Sequence, residues 1–457
     1  MTTVDIDTFD VVNPATGEVI AELPNTGTTE WFEALEKADH AKADWAALAP
    51  RKRSEILYEI FQQLMADADE IAEIIHSETG KAVAEAKGEV AYGAEYFRWF
   101  AEEAVRFPGR FNQAPNGNGH IAVTRAPVGV VLAITPWNFP IAMATRKIAP
   151  ALAAGCTILV KPASETPLTM IKVGEVIASV FEKHNIDQGV VAILPTVRDA
   201  ELSAQLMADS RLAKITFTGS TRVGKILVRQ SADNLLRSSM ELGGNAAFVI
   251  DEAADLEAAV EGAMQAKLRN TGQVCIAANR FLVHESIADE FTTKLSAAME
   301  AATIGPVISA AQRNRIAQLV DEAVADGAQV IIGGEVPAGE GFFYPATVLR
   351  DVPAQSRILH EEIFGPVATI TTFATLEEGV AQANATEFGL AAYGFSENVR
   401  AAQYLAQHLE AGMVGINRGA ISDPAAPFGG IGQSGFGREG GTEGIEEYLS
   451  VRYIALP

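Results

Sequence analysis

Apolar residues recur at helical spacing through 50–79, where Ile56, Leu57, Ile60, Phe61, Leu64 and Met65 share one face and Gly80 supplies a stop. The N-terminal third is therefore expected to open with helices. From Val128 the period changes. Short apolar runs (VGVVLAI, TILV, VVAIL and KITF) alternate with an Ala-rich helical stretch and with helical segments beginning near Leu168, Ala200 and Thr221. That alternation predicts the strands and crossover helices of an open parallel sheet. A second alternation starts with AAFVI at Ala246, passes through a helix over 255–270 and returns as AQVIIGG, VATITTF and GMVGIN. Two α/β lobes follow, meeting near Glu241. Such sheets bind ligands beyond the carboxyl ends of their strands, so chemistry is expected just after VLAI and just after KITF.

Composition narrows the class. The 457 residues are 48% hydrophobic and 20% charged, which excludes a disordered chain and predicts two or three domains. Lys and Arg number 35 against 58 Asp and Glu, a formal charge of −23 with no basic cluster. Nucleic acid and anionic membranes are not expected partners, and an anionic ligand needs a local positive pocket. The start, MTTVDIDTFD, lacks the basic and apolar segments of a signal peptide, and two cysteines, Cys156 and Cys275, make no disulfide framework. A cytoplasmic protein is expected. The longest uncharged run, 126–145, contains Pro127, Pro136, Asn138 and Pro140, which argues against a membrane helix.

Two familiar motifs fail. GIGQSG (430–435) and GFGREG (435–440) both match the dinucleotide fingerprint, but they overlap and leave no room for a βαβ unit. The stretch from Gly219 to Lys225 misses the phosphate-loop pattern because Ile226 stands where Ser or Thr should hold magnesium. Its physics survives: a strand, a small polar turn at Gly219 and Ser220, and a helix N-terminus offer backbone N–H groups to a phosphate. A plain strand-to-helix turn reads equally well in isolation. No serine-hydrolase elbow is present, and the seven histidines form no metal pattern, so no metal site is expected. A cysteine hydrolase pairing Cys275 with His284 or His360 stays open. Cys156, in PALAAGCTILV, reads as a core residue, whereas Cys275 sits among small and amide residues at the end of a predicted helix.

Seven motifs in order carry a resemblance: TPWNFP (135–140), KPAS (161–164), FTGST (217–221), ELGG (241–244), GQVC (272–275), EEIFGP (361–366) and PFGG (427–430). Together they resemble the aldehyde dehydrogenase superfamily, from VVNPATGE (11–18) to IEEY (445–448). The resemblance implies an α/β fold with two open lobes and a small oligomerisation arm. Residues 1–106 and 127–240 would form the cofactor domain and 241–442 the catalytic domain, its end returning to the cofactor domain. Segments 107–126 and 443–457 would mediate a homodimer or homotetramer.

The resemblance also assigns roles. Cys275 matches the nucleophile, Asn138 with the Cys275 backbone N–H the oxyanion donors, and Glu241 the general base. Trp137, Asn138, Gly219, Ser220 and Leu242 match the nucleotide cleft, Glu362 the carboxylate on the nicotinamide ribose, and Phe364 the nearby ring. Lys161 matches the adenosine-ribose lysine. Ser164 replaces a Glu that many NAD-specific relatives carry, which favours NADP, with NAD as the lesser cofactor. Within the superfamily the chain is most similar to succinate-semialdehyde dehydrogenases, in which residues at the positions of Arg146, Arg269 and Ser422 hold the substrate carboxylate. Read alone, the two arginines are ordinary ion-pair residues. The alternatives are glutarate semialdehyde, a broader aliphatic aldehyde, or, from other classes, the cysteine hydrolase and a non-catalytic binding protein. Ala277 stands where some relatives carry a second cysteine, which removes a local disulfide switch.

Overall fold

The computed structural model describes residues 7–457. An antiparallel hairpin, Thr8–Val12 against Val19–Pro24, stands ahead of the expected helices, so the described residues begin with strands. Only Phe9 and Val11 turn inward there, too short an alternation to compete with the helical signal that follows. Four helices come next: Thr28–Ala47, Pro50–Ala66, Ala68–Thr79 and Val83–Glu103. The 50–79 periodicity is thus two helices, broken at Asp67. Gly80 ends the second in the left-handed region at φ 70°, where a side chain would also strike Pro306.

The first sheet has six strands in the order Gly435–Phe436, Arg237–Glu241, Leu212–Thr218, Val130–Ile134, Thr157–Lys161, Val191–Ile193, parallel except for the first. Register decides what this sheet offers. Ile134 pairs with both Lys161 and Phe217, and Thr218 pairs with Glu241, so four strands finish along one edge. The residues that follow them, including Trp137, Asn138, Gly219, Ser220 and Leu242, gather there, as the carboxyl-end rule requires. The helix Pro140–Ala154 starts from this edge and is buried along its whole length. Its apolar surface on every side explains that position, and it carries Arg146 and Lys147 into the interior with it.

The second sheet has seven strands, in the order Gln329–Ile332, Thr347–Arg350, Val367–Phe373, Ala278–His284, Ala246–Ile250, Ala391–Phe395, Met413–Ile416; only the first pair is antiparallel. Stacked Phe248 and Phe395, 4.7 Å apart, centre its core. This sheet presents its amino ends to the first sheet's carboxyl edge. Cys275 lies three residues before Ala278, and Glu362 five before Val367. The expectation that reactive groups follow strands therefore holds for the first sheet and fails for the second. A third, antiparallel sheet joins Leu449–Leu456, His120–Pro127 and Arg110–Gln113, uniting the two segments expected to form an arm. Among the described residues, no helix is long and apolar enough to cross a membrane.

Candidate active site

The segment that carries Cys275 is not a helix end. The preceding helix stops at Leu268, and Asn270, Thr271 and Gly272 all take positive φ values, turning the chain sharply back. Side chains from distant elements then pin the loop. Asn138 Nδ2 donates to the Gln273 carbonyl at 3.0 Å, Asn270 Nδ2 to the Asn138 carbonyl at 2.9 Å, and the Tyr393 hydroxyl to the Ile276 carbonyl at 2.8 Å. Lys81 Nζ reaches the same Asn138 carbonyl at 2.9 Å while paired with buried Glu89 at 2.6 Å. One hydrogen of the Asn138 amide therefore stays available. The Cys275 backbone N–H donates to no other group among the described residues.

Two cavities meet at Asn138 and Cys275. The larger, about 320 Å³, is walled by Trp137, Gly219, Ser220 and Leu242 from the first sheet's edge and by Glu362 and Phe364 from the second. Ser220 caps the helix Thr221–Ser231, accepting from Val223 N at 3.4 Å. Phe364, left-handed at φ 56°, stands edge-on to Trp137 with centroids 5.3 Å apart. Glu362 accepts from Gly244 N at 3.1 Å, and burial pushes its carboxyl up to about 7. A Cβ on Gly243 would stand 2.6 Å from Glu362 Oε2, so the cleft is shaped by an absent side chain. Lys161 and Ser164 follow on the neighbouring strand end, outside this cavity. The Ser164 hydroxyl donates to Glu165 at 3.2 Å, so a carboxylate stands one residue beyond the position where relatives carry one.

The smaller cavity brings together Cys275, Asn138, Arg146, Arg269 and Ser422, with Tyr92 and Phe139. Its free space is only about 10 Å³, room for one water, so a longer molecule enters only as lining side chains shift. Arg269 is the exposed member and lies over Phe139 at 5.1 Å. Arg146 is fully buried and sits over the Phe428 ring at 4.3 Å. Its Nε lies against Glu439, while both terminal amino groups have no hydrogen-bond partner among the described residues. Buried donors left open in a cavity are an invitation to an acceptor.

Glu241 is placed differently from the other site residues. It ends its strand fully buried, lines neither cavity and, among the described residues, makes no hydrogen bond with either oxygen. It belongs to a buried charged cluster with Glu439, Arg146 and Lys147, in which Lys147 pairs with Glu439 and donates to Thr218 Oγ1 at 2.6 Å. Burial first, and then the Glu439 charge, hold the Glu241 carboxyl well above the usual carboxylate range. Burial likewise pushes the Cys275 thiol up to about 12, against the pull of Arg146. The resting thiol is protonated at neutral pH. Cys156, fully buried against the Tyr448 carbonyl, is the core residue its sequence suggests.

The model of the aldehyde dehydrogenase family matches residues 2–454. The chain belongs to that family. This aldehyde dehydrogenase is 49% identical to a succinate-semialdehyde dehydrogenase of Paenarthrobacter nicotinovorans, covering 96% of this chain and 99% of the relative. It is 42% identical to a glutarate-semialdehyde dehydrogenase of Pseudomonas putida, covering 98% and 94%. The crystal structure of an NADP-dependent enzyme of E. coli matches with a TM-score of 0.95 at 40% identity, over 98% of this chain and 94% of the other. Two residues outside the seven motifs also reach this site. Gln312 and Arg315, on the helix Ala310–Asp326, line the larger cavity. They bind the carbonyls of Phe364 at 2.9 Å and Glu362 at 2.8 Å, and so hold the EEIFGP loop in place. Only their i, i+3 spacing hinted at a shared face.

Proposed function

We propose that this enzyme oxidises succinate semialdehyde to succinate with reduction of NADP. One observation carries the reading. The cavity that adjoins Cys275 holds a buried arginine with two unpartnered terminal amino groups, a fit for the carboxylate tail of an aldehyde. Arg269 and Ser422 line the same space, so the three residues expected to clamp the tail are together. Relatives named for succinate semialdehyde and for NADP support the substrate and the cofactor. Glutarate semialdehyde is the competitor, because one methylene is discriminated by only about 1–3 kcal/mol.

The larger cavity suits the nicotinamide half of the cofactor: an aromatic edge-on pair, a carboxylate, and a cradle that a Cβ on Gly243 would fill. When bound there, the nicotinamide supplies a hydride acceptor. The residues of the chain do the rest. The Cys275 thiol gives its proton to solvent water as its sulfur adds to the aldehyde carbon, and the open Asn138 N–H and the Cys275 backbone N–H hold the resulting oxyanion. After hydride departure the acyl group remains as a thioester on Cys275. Glu241, ionised once it turns away from the Glu439 charge, then takes a proton from the attacking water and passes it to the departing Cys275 sulfur, releasing acid and thiol. Its carboxyl group faces the charged cluster in this structure, so it must turn toward Cys275; among the described residues no hydrogen bond restrains it.

Initial rates of nicotinamide reduction with succinate semialdehyde, run with NADP and with NAD, test the proposal, with Cys275→Ala as the control. A Cys275-dependent rate favouring NADP is expected. No rate with either cofactor would overturn the substrate. We place the enzyme in the cytoplasm as a homodimer or a dimer of dimers. The arm sheet supports association: each outer strand leaves one edge unpaired among the described residues, and the sheet exposes Phe111, Val451 and Tyr453 to water. Sizing that returns a monomer would remove that part.

A further inference from the structure

The smaller cavity contains a hydroxyl that neither the motifs nor the resemblance singled out. Tyr92, on the helix Val83–Glu103, lines it beside Arg146. One turn later on the same helix stands Tyr96, its ring edge-on at 5.3 Å and its hydroxyl 2.7 Å from that of Tyr92. The two hydroxyls carry two protons and share one hydrogen bond, so one proton is left over. Burial decides which. Tyr96 is wholly inaccessible, and Tyr92 is its sole hydrogen-bond partner among the described residues. If Tyr92 donated, the Tyr96 proton would be sealed in without an acceptor, a penalty of about 1–3 kcal/mol. Tyr96 therefore donates, Tyr92 accepts, and the Tyr92 proton is the one left free, on a residue that lines the cavity.

That proton joins the two open amino groups of Arg146, and no Asp or Glu lines the cavity among the described residues. The site holds several donors and no carboxylate to receive them; the side-chain acceptors it offers, Asn138 Oδ1 and the Ser422 hydroxyl, are neutral. We infer that Tyr92 is a specificity-determining residue of this enzyme, donating its phenolic hydrogen to the carboxylate tail that Arg146 pairs with. The inference rests on the proposed succinate semialdehyde activity and extends it. Accepting from Tyr96 polarises the Tyr92 hydroxyl and strengthens what it donates, so the pair works as a relay of dipoles toward the anion.

The test uses Tyr92→Phe, which removes one oxygen, in the full-length enzyme with NADP. Succinate semialdehyde is compared with butanal, which has the same four carbons and no charged tail. A hydrogen bond to a charged group predicts a KM for succinate semialdehyde raised about 10- to 100-fold in Tyr92→Phe, with kcat little changed. Butanal kinetics stay at the wild-type level and report an intact fold. Tyr96→Phe leaves the Tyr92 proton free and costs less than Tyr92→Phe. Equal losses on both aldehydes, or none on either, would overturn the inference, as would Tyr96→Phe costing as much as Tyr92→Phe. A wild type that prefers succinate semialdehyde beside a Tyr92→Phe variant with the same preference removes Tyr92 alone. A wild type with no preference over butanal removes the proposed substrate as well.

Discussion

Gly243→Ala tests the cofactor side of the site with a single methyl group. The added Cβ would stand 2.6 Å from Glu362 Oε2 and 3.5 Å from Thr221 Oγ1, with the Glu362 Cδ at 3.3 Å. Ordinary contact begins at 3.4 Å, so the carboxylate must retreat by about 0.8 Å, the difference between 3.4 and 2.6. What moves is the end of a side chain, so folding is barely taxed, and the lost glycine freedom offsets part of the strain, by about 0.4–1 kcal/mol. Cofactor binding takes the loss. Glu362 is held by Gly244 N at 3.1 Å, and a carboxylate displaced by this much gives up a charge-assisted hydrogen bond of about 1.5–3 kcal/mol. The KM for NADP should then rise about 10- to 100-fold, with a thermal midpoint close to wild type. Initial-rate kinetics in both cofactors and a melting curve supply the readout. The mechanism also predicts non-additivity: in a Glu362→Ala background there is no carboxylate to displace, and Gly243→Ala becomes nearly silent. Full additivity of the two changes, or a folded Gly243→Ala enzyme with wild-type KM, would refute the reasoning.

Glu241→Gln, close in shape, should slow steady-state turnover by about 10²- to 10⁴-fold while a first-turnover burst of reduced cofactor persists; an unchanged steady state takes Glu241 out of deacylation. Arg269→Ala should raise KM for succinate semialdehyde far more than for an uncharged aldehyde, and equal effects would sink its part in the clamp. Glu362, faced by Arg315 and Lys267, binds a proton in the folded enzyme up to about 7. Its contribution to stability is therefore full below the ordinary value of 4.5 and is lost as pH rises through about 7, whereas NADP binding, which needs the ionised form, tightens over the same rise. Glu362→Gln should flatten the pH dependence of KM. Gly88→Ala, at an exposed helical position with nothing within 4 Å, should stabilise by about 0.5–1 kcal/mol and leave kinetics untouched, as denaturant melts would register.

Periodicity alone located the strands around VLAI, TILV and KITF and the helices between them, because each buries one face or one stripe and the pattern is local. Motif order pointed to Cys275, Asn138 and Glu362. The tertiary structure decided how the two lobes face each other. That the second sheet turns its amino ends to the first sheet's carboxyl edge depends on contacts between segments far apart along the chain, such as Asn138 with Gln273 and Trp137 with Phe364. The same long-range packing buried Glu241 in a charged cluster, left the amino groups of Arg146 open, and brought Tyr92, Gln312 and Arg315 into the site. None of these has a signature in its neighbours along the chain, since a side chain's partners are set by which surfaces exclude water together. Sequence determined which chemistry the chain carries; burial and register determined where each group points and what it is left to bind.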